Sequence, residues 1–230
     1  MKSAERTRAK TLALCVLMLA VALLAWYAGT RAPDNAVNDG RYTPVGNSFA
    51  RFSSNGVEVV TREGETLYSA EFDYPDRLLT RSGETAAAWT GEGEMLLLGE
   101  GGYRRVSVRG ELLGVFGSEC GAVCAITAAE SGGERIALYG AYGEVFSFEP
   151  EGRAIAAAVS PDGGALAVLT LDGAFYVSAY SLPLGGALWR RGLDSAAYDL
   201  EWEGSSRVRA DTGSGELYID ALTGETLPQG

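Results

Sequence analysis

The sequence predicts an all-β protein, a small β-propeller of about five blades with three to four antiparallel strands each, preceded by one N-terminal transmembrane helix. Three observations predict it. After residue 40 no stretch sustains the 3.6-residue apolar period of a helix, and short β-rich runs alternate with turn dipeptides. A unit of about 38 residues recurs five times along this part of the chain. An uncharged run from Thr11 to Thr30 supplies the membrane segment.

Each unit ends a strand on a large apolar residue and begins a later strand after a glycine. The apolar positions, spaced 37, 37, 33 and 43 residues apart, are Phe52, Trp89, Ile126, Val159 and Trp202. Four of them are followed by a hydroxyl residue, namely Ser53, Thr90, Thr127 and Ser160. The glycines are Gly64, Gly102, Gly143, Gly173 and Gly215. We expect the apolar residues to form core between blades rather than platforms for sugar rings, and the hydroxyl groups to close turns.

Fourth strands are expected in the segments between the units. A blade of three or four strands has two apolar faces and cannot cover both alone, so blades pack face to face around an axis. The expected fourth strands are residues 76–82, 111–117 and 186–192. The third blade is expected to lack one, because residues 149–152 lead directly into the next unit. Residues 41–45 are expected to supply the outer strand of the last blade and to close the ring.

The composition excludes several chemistries. Hydrophobic residues make up 47% and charged residues 21% of the chain, which are values of a globular protein. There is no histidine, so the usual general base of Ser/His and Cys/His catalysis and the commonest transition-metal ligand are missing, and we expect neither metal nor cofactor. The net charge is −11, and because the first ten residues carry +3, the rest carries −14. Nucleic acid is therefore not an expected partner.

The N-terminal 40 residues are expected to anchor the protein in a membrane. The predicted segments are a cytoplasmic tail (residues 1–10), a transmembrane anchor (11–30), a tether (31–40) and the propeller domain (41–230). The basic residues precede the apolar run, which predicts a single-pass protein of the cell membrane with a cytoplasmic N-terminus and an extracytoplasmic propeller. The alternative is a cleaved signal peptide. It is disfavoured because Trp26 and Tyr27 stand where small residues belong.

Residues 155–180 (IAAAVSPDGGALAVLTLDGAFYVSAY) resemble a WD-repeat unit, with a Ser-Pro-Asp-Gly turn at 160–163. One N-terminal span followed by phrases such as SSNGVEVVTREGETLYS (53–69) is similar to an uncharacterised family of singly membrane-anchored propeller proteins of Gram-positive bacteria. The repeats lack the His and Trp-Asp positions of true WD repeats. They also lack the periodic Trp of quinoprotein propellers, so a quinone is not implied. The resemblance implies a fold and an anchor but no activity.

Two cysteines and two aspartates are candidates for local structural roles. Cys120 and Cys124 form a C-x3-C pair before the third unit, and outside the membrane such a pair can oxidise to a small-loop disulfide. The alternative is two small apolar side chains that fill a junction between blades. Asp162 and Asp172 are expected to accept hydrogen bonds within their own turns. Each turn offers only one carboxylate, which is too few for calcium.

Three carboxylates are candidates for a site in the central channel. Asp199, Glu201 and Glu203 alternate along the first strand of the fifth unit and therefore share one face. First strands are expected to line the channel, where carbohydrate-cleaving propellers place their carboxylates. The first strands of the other four units contain no acid. The alternative is a solvated edge or a charged face paired with Arg51, Arg207 or Arg209.

We expect a binding module rather than an enzyme. The favoured function is an extracytoplasmic protein-interaction or ligand-sensing propeller whose partner is an unknown protein or envelope ligand, with the lipid bilayer contacted through the N-terminal helix. A tail of about ten residues is too short for a signalling domain. The alternatives are an envelope glycan-cleaving enzyme that uses the channel carboxylates and a purely structural spacer.

Overall fold

A computed structural model describes residues 42–74, 77–130, 132–140 and 143–228. They belong to the second of two compact units, residues 40–230. The predicted tail, transmembrane anchor and tether lie outside the described residues. Within the described ranges no helix is long and apolar enough to cross a bilayer.

All regular structure in the described ranges is strand, arranged as five antiparallel sheets of four strands each. The first sheet contains β1 (Tyr42–Val45), β2 (Ser48–Ser53), β3 (Gly56–Val60) and β4 (Thr66–Glu71). The second contains β5 (Leu78–Ser82), β6 (Thr85–Trp89), β7 (Glu94–Gly99) and β8 (Gly102–Ser107). The third contains β9 (Leu112–Gly117), β10 (Val123–Ala128), β11 (Glu134–Gly140) and β12 (Gly143–Phe148). The fourth contains β13 (Arg153–Val159), β14 (Ala165–Asp172), β15 (Ala174–Ser181) and β16 (Gly186–Leu193). The fifth contains β17 (Ala197–Glu203), β18 (Arg207–Thr212), β19 (Gly215–Asp220) and β20 (Thr226–Leu227).

Within every sheet the strands are neighbours in chain order, so each sheet is a meander of three hairpins. The first strands of consecutive sheets also lie beside one another: β1 beside β5, β5 beside β9, β9 beside β13 and β13 beside β17. These first strands therefore form the inner side of the domain, and the fourth strands its outer side. The predicted count of five blades with three to four strands is confirmed at the level of sheets.

Four apolar clusters hold the sheets together face to face. They join the first sheet to the second, the second to the third, the third to the fourth and the fourth to the fifth. The burial pattern follows from this packing. In β14 the five residues Leu166–Thr170 are all buried, as expected for a strand covered on both faces. In β18 buried residues alternate with accessible ones, because only one face of the fifth sheet is covered.

No such cluster joins the fifth sheet to the first within the described residues. The expectation that residues 41–45 close the ring on the last blade is wrong. Tyr42–Val45 pairs with Ser48–Ser53 of its own sheet, Tyr42 opposite Arg51 and Val45 opposite Ser48. The fourth strand of the last sheet is instead Thr226–Leu227, which follows β19 directly.

Two of the predicted fourth strands also belong to different sheets from those expected. Leu78–Ser82, predicted within 76–82 as the end of the first blade, pairs with Thr85–Trp89 and begins the second sheet. Leu112–Gly117, predicted within 111–117, pairs with Val123–Ala128 and begins the third sheet. The third sheet therefore has four strands rather than three. The prediction for 186–192 is confirmed, because Gly186–Leu193 follows β15 in the fourth sheet.

A physical reason for this shift lies in residues 149–152. Each repeat unit supplies three strands of its sheet, and five further strands lie outside the units. Because residues 149–152 contain no strand, three of these five (β1, β5 and β9) precede that segment and two (β16 and β20) follow it. Each sheet obtains one of them only if the first three sheets take the strand before their unit and the last two take the strand after it. Two-residue turns such as Gly46-Asn47 then make the pairing local, which costs little loop-closure entropy.

Candidate functional site

A cavity of about 400 Å3 lies where four first strands, β5, β9, β13 and β17, come together. Its wall is somewhat more apolar than polar, and its main apolar side chains are Val115, Phe116, Val159, Leu200 and Trp202. Three charged residues border it, namely Arg81, Glu119 and Glu201. The cavity therefore combines an apolar wall with charges of both signs, within the size range of small-molecule sites.

Trp202 forms part of the cavity wall and is fixed from behind. The residue is buried in the cluster between the fourth and fifth sheets. Its indole Nε1 donates a hydrogen bond to the carbonyl oxygen of Ala158 on β13, at 2.8 Å. The ring therefore belongs to the core and lines the cavity at the same time. Trp89, the other tryptophan of the repeat, packs between the second and third sheets. Both tryptophans therefore form core between sheets, as the sequence predicted.

The wall between β5 and β9 is held by buried hydroxyl groups. The Ser82 Oγ donates a hydrogen bond to the carbonyl oxygen of Ala122 at 2.6 Å and accepts one from the backbone N–H of Ser118 at 3.2 Å. The backbones are in direct contact beside it, because a Cβ on Gly117 would overlap the carbonyl oxygen of Arg81. This junction places Arg81, near the end of β5, and Glu119, in the turn after β9, at the cavity.

The charges at the cavity differ in how they are neutralised. Within the described residues neither Arg81 nor Glu119 forms an ion pair, and Arg81 uses only its Nε, which donates to the carbonyl oxygen of Gly83 at 3.3 Å. Both side chains are exposed. The Glu201 carboxylate is instead bound by Arg209 at 2.6 Å. One cation and one anion are thus available at the cavity.

The three predicted channel carboxylates lie on the strand that was expected, β17, and share its accessible face. Only Glu201 borders the cavity. Glu203 is bound by Arg207 at 3.1 Å, and Asp199 accepts a hydrogen bond from the backbone N–H of Leu200 at 2.9 Å. The alternative of a charged face paired with Arg207 and Arg209 therefore describes Glu201 and Glu203.

This face of the fifth sheet, which we call the end face, is a three-by-three array across β17, β18 and β19. Its rows of opposed residues are Asp199, Asp211 and Glu216; Glu201, Arg209 and Tyr218; and Glu203, Arg207 and Asp220. Six carboxylates and two arginines give it a formal charge of −4. The burial of Arg209 lowers its pKa, but the carboxylates of Asp211, Glu201 and Glu216 outweigh that effect, and the net pKa is raised.

The sequence did not indicate Arg81, Phe116 and Glu119 as cavity residues. Residues 76–82 and 111–117 were predicted as the outer edges of blades, whereas both segments supply inner strands. The first strands that were expected in the channel in units one to three are the second strands of their sheets, β2, β6 and β10. The one available signal was the short spacing from each segment to the unit that follows it.

The two cysteines lie in different surroundings. Cys124 is fully buried in the cluster between the third and fourth sheets, and this burial raises the pKa of its thiol to about 12. Cys120 is exposed, and its Sγ lies 3.0 Å from the Oγ of Ser118. Both are free thiols in the structure, so the disulfide stays a prediction. Within the described residues no three His, Cys, Asp or Glu side chains are grouped to hold a metal ion.

These surroundings predict unequal labelling of the two thiols. Because the thiolate is the reactive form, we expect iodoacetamide at about pH 8 to alkylate Cys120 in the native protein and to leave Cys124 unmodified. Peptide mass spectrometry gives each site separately, and denaturation supplies the control in which both react. Equal native rates would contradict the buried position of Cys124. A Cys120–Cys124 crosslinked peptide from the untreated protein would confirm the disulfide.

The Ser-Pro-Asp-Gly turn has the hydrogen bonds that its sequence predicts. The Asp162 Oδ1 accepts from the Ser160 hydroxyl at 2.6 Å and from the Gly164 N–H at 3.0 Å, and Gly163 has a φ of 71°. The Ser160 bond first, and then the Gly164 bond, lower the pKa of Asp162. Asp172 differs from the expectation, since its carboxylate binds Arg190 on β16 at 3.3 Å.

The lowered pKa of Asp162 predicts that the stability of the fold depends on pH, with a defined sign. A carboxyl group whose pKa is lower in the folded state stabilises the fold above its unfolded-state pKa, and the contribution is lost as pH falls through the folded value. In Ser160→Ala we expect the pKa of Asp162 to rise, measured by carboxyl NMR titration. Hydrogen bonds from Thr223 and Leu222 lower the pKa of Asp220. This pKa is the internal control and should stay unchanged. An unaltered Asp162 titration would contradict the role of the Ser160 hydroxyl.

Comparison with known proteins relates this arrangement to solved structures. The Neurospora crassa Pan2 WD40 domain is 13% identical with a TM-score of 0.58, covering 83% of this chain and 66% of that one. Apo AztD from Citrobacter koseri is 14% identical with a TM-score of 0.58, covering 82% and 58%. The fold is a WD-repeat-like β-propeller. The computationally designed Ika8 protein is 17% identical with a TM-score of 0.60, covering 79% and 57%.

The propeller likeness concerns the fold alone. This chain spans between 57% and 66% of the length of these three structures. No protein-family model matches the chain. No curated protein matches it either.

Proposed function

We propose that this protein is a membrane-anchored, extracytoplasmic β-propeller that binds a ligand or partner protein in the cavity between β5, β9, β13 and β17. The observation that carries the proposal is the cavity itself, whose apolar side chains lie beside Arg81 and Glu119, two charges that form no ion pair among the described residues. Binding sites combine apolar burial with a few polar groups that fix orientation, and this cavity has both.

The membrane part of the proposal rests on the sequence. Residues 11–30 are long and apolar enough for one crossing, and the basic residues precede them. The acidic charge of the remaining chain disfavours nucleic acid and anionic lipid surfaces as ligands of the propeller. A protein or a small envelope molecule remains the favoured partner.

Photo-crosslinking in the native membrane tests the binding site. Pro161 borders the cavity, whereas Pro183 lies exposed in the turn between β15 and β16 and is not part of the cavity wall. A photoreactive amino acid at position 161 is expected to yield a specific adduct in intact cells, and the same residue at position 183 is the matched control. Adducts of equal yield from both positions, or none from position 161, would refute cavity binding.

Orientation has its own test. Protease added to intact cells is expected to digest the propeller and to leave the first ten residues protected. Digestion only after the cells are opened would place the propeller inside and remove the extracytoplasmic part of the proposal.

The geometry gives no support to the glycan-cleaving alternative. Such enzymes need two carboxyl groups facing each other across the scissile bond. Of the three carboxylates predicted for this role, Glu201 and Glu203 are each bound by an arginine, and Glu201 is the one that borders the cavity within the described residues. We therefore make no proposal of catalysis for Asp199, Glu201 and Glu203.

A further inference from the structure

We propose that the ligand of the cavity is a free α-amino acid with a large apolar or aromatic side chain. This inference rests on the proposed function, because it concerns the same cavity. It assigns the carboxylate of the ligand to Arg81, its ammonium group to Glu119 and its side chain to the wall formed by Phe116 and Trp202.

The charges at the cavity match the two ends of an amino acid. Arg81 offers guanidinium nitrogens that no described residue uses, and a guanidinium binds a carboxylate through two parallel N–H···O bonds. Glu119 offers a carboxylate that no described cation binds. Gly117 meets the Arg81 backbone and Gly83 meets the Glu119 backbone, and these contacts hold the end of β5 against the turn that follows β9.

The choice of Glu119 over Glu201 follows from their neighbours. Glu201 lies 2.6 Å from Arg209, which also contacts Asp211 at 3.3 Å and Glu216 at 3.7 Å. An ammonium group at Glu201 has to compete with that arginine, whereas Glu119 forms no ion pair with a cation of the described residues. The cavity therefore offers one guanidinium, that of Arg81, and one carboxylate, that of Glu119. These two charges match the carboxylate and the ammonium group of a zwitterionic ligand.

The apolar wall decides the side chain of the ligand. Phe116 packs against the clusters of the third, fourth and fifth sheets and is only half-buried, so part of the residue remains accessible. Trp202 is fixed by its bond to Ala158, which leaves a rigid apolar surface with little entropy to lose on binding. A volume of about 400 Å3 gives room for an aromatic side chain, which packs on aromatic rings with a preference for offset or edge contacts.

Other small ligands fit the same residues less well. A phosphate or nucleotide meets the carboxylates of Glu119 and Glu201 at the cavity, which repel it. A sugar leaves both charges without a counter-charge. A metal ion lacks a group of three ligating side chains within the described residues.

Binding of L-phenylalanine to the full-length protein in detergent micelles, measured by calorimetry, tests the inference. N-acetyl-L-phenylalanine lacks the ammonium charge and L-phenylalaninamide lacks the carboxylate, so they probe the two ends separately. We expect L-phenylalanine to bind saturably. Each derivative is expected to bind with an affinity lower by about tenfold or more, the loss typical of one charge-assisted hydrogen bond.

Two variants connect each end of the ligand to its residue. Arg81→Gln is expected to weaken L-phenylalanine about tenfold and to remove the preference for the acid over the amide. Glu119→Gln is expected to remove the preference for the free amine over the N-acetyl derivative. The controls Arg62→Gln and Glu63→Gln alter exposed residues of the turn between β3 and β4 and should leave all affinities unchanged.

The outcomes separate this inference from the proposed function. No saturable binding of L-phenylalanine at millimolar concentrations, or binding that neither Arg81→Gln nor Glu119→Gln weakens, would overturn the amino-acid assignment. If position 161 still gives a specific photo-adduct, the cavity remains the binding site for a different ligand. If the adduct is absent as well, both proposals fail.

Discussion

Replacing Gly117 by alanine is expected to destabilise the domain by about 3 kcal/mol or more, or to prevent its folding. Gly117 is the last residue of β9, and its added Cβ would overlap the carbonyl oxygen of Arg81 on β5. The obstacle is backbone rather than a side chain, so no rotamer change relieves it. The φ angle of Gly117 lies outside the left-handed region, so the penalty is steric and not conformational.

Gly186→Ala is the matched control for this substitution. Gly186 begins β16, also has no left-handed φ, and has no heavy atom within 4 Å of an added Cβ. Denaturant titration of both variants is expected to show a large loss for Gly117→Ala and a small change for Gly186→Ala. Equal stabilities would show that β5 and β9 do not meet at this residue. The cavity wall described above would then be wrong.

The strands themselves were predictable from the sequence. Every segment expected to follow a repeat glycine is a strand in the structure, including Gly143–Phe148 and Gly215–Asp220. All five of those glycines have φ values that L side chains rarely adopt, for example 136° at Gly143. Local chemistry fixes such features, because turn geometry depends on a few adjacent residues.

The assignment of strands to sheets was not predictable from the repeat alone. A strand between two units can pair with the unit before it or after it, and the apolar pattern of Leu78–Ser82 suits either neighbour. The deciding feature is the absence of a strand at residues 149–152, which acts on all five sheets together. One consequence is that the sequence analysis placed Arg81 and Phe116 on the outside, although they line the cavity.

The positions of the candidate carboxylates were likewise predictable within their own hairpin but not relative to other sheets. Alternation along β17 placed Glu201 and Glu203 on one face, and their pairing with Arg209 and Arg207 follows from the hairpin between β17 and β18. Their distance from other carboxylates depends on which sheets meet. The end face meets no apolar cluster of the first sheet in the described residues. Its acids therefore remain a charged surface rather than one wall of a closed channel.

A sheet covered on one face depends strongly on that single interface. In the described residues the apolar cluster of the fifth sheet is shared mainly with the fourth, with Phe116 of the third sheet packed against it, and Trp202 is its largest buried side chain. The second sheet, by contrast, packs on the first and on the third. Loss of one large side chain should therefore have different consequences in the two sheets.

Trp202→Ala is expected to cost about 3–5 kcal/mol and to release the fifth sheet before the rest of the domain unfolds. The substitution removes the indole from the core and leaves the carbonyl oxygen of Ala158 without its donor. Trp89→Ala is the control, since Trp89 is only half-buried and its sheet keeps a second apolar interface. Hydrogen exchange read by mass spectrometry should show faster exchange across residues 197–227 in Trp202→Ala alone. A single cooperative transition with uniform exchange in both variants would mean that the end face is covered. An apolar contact outside the described residues would then have to close the ring.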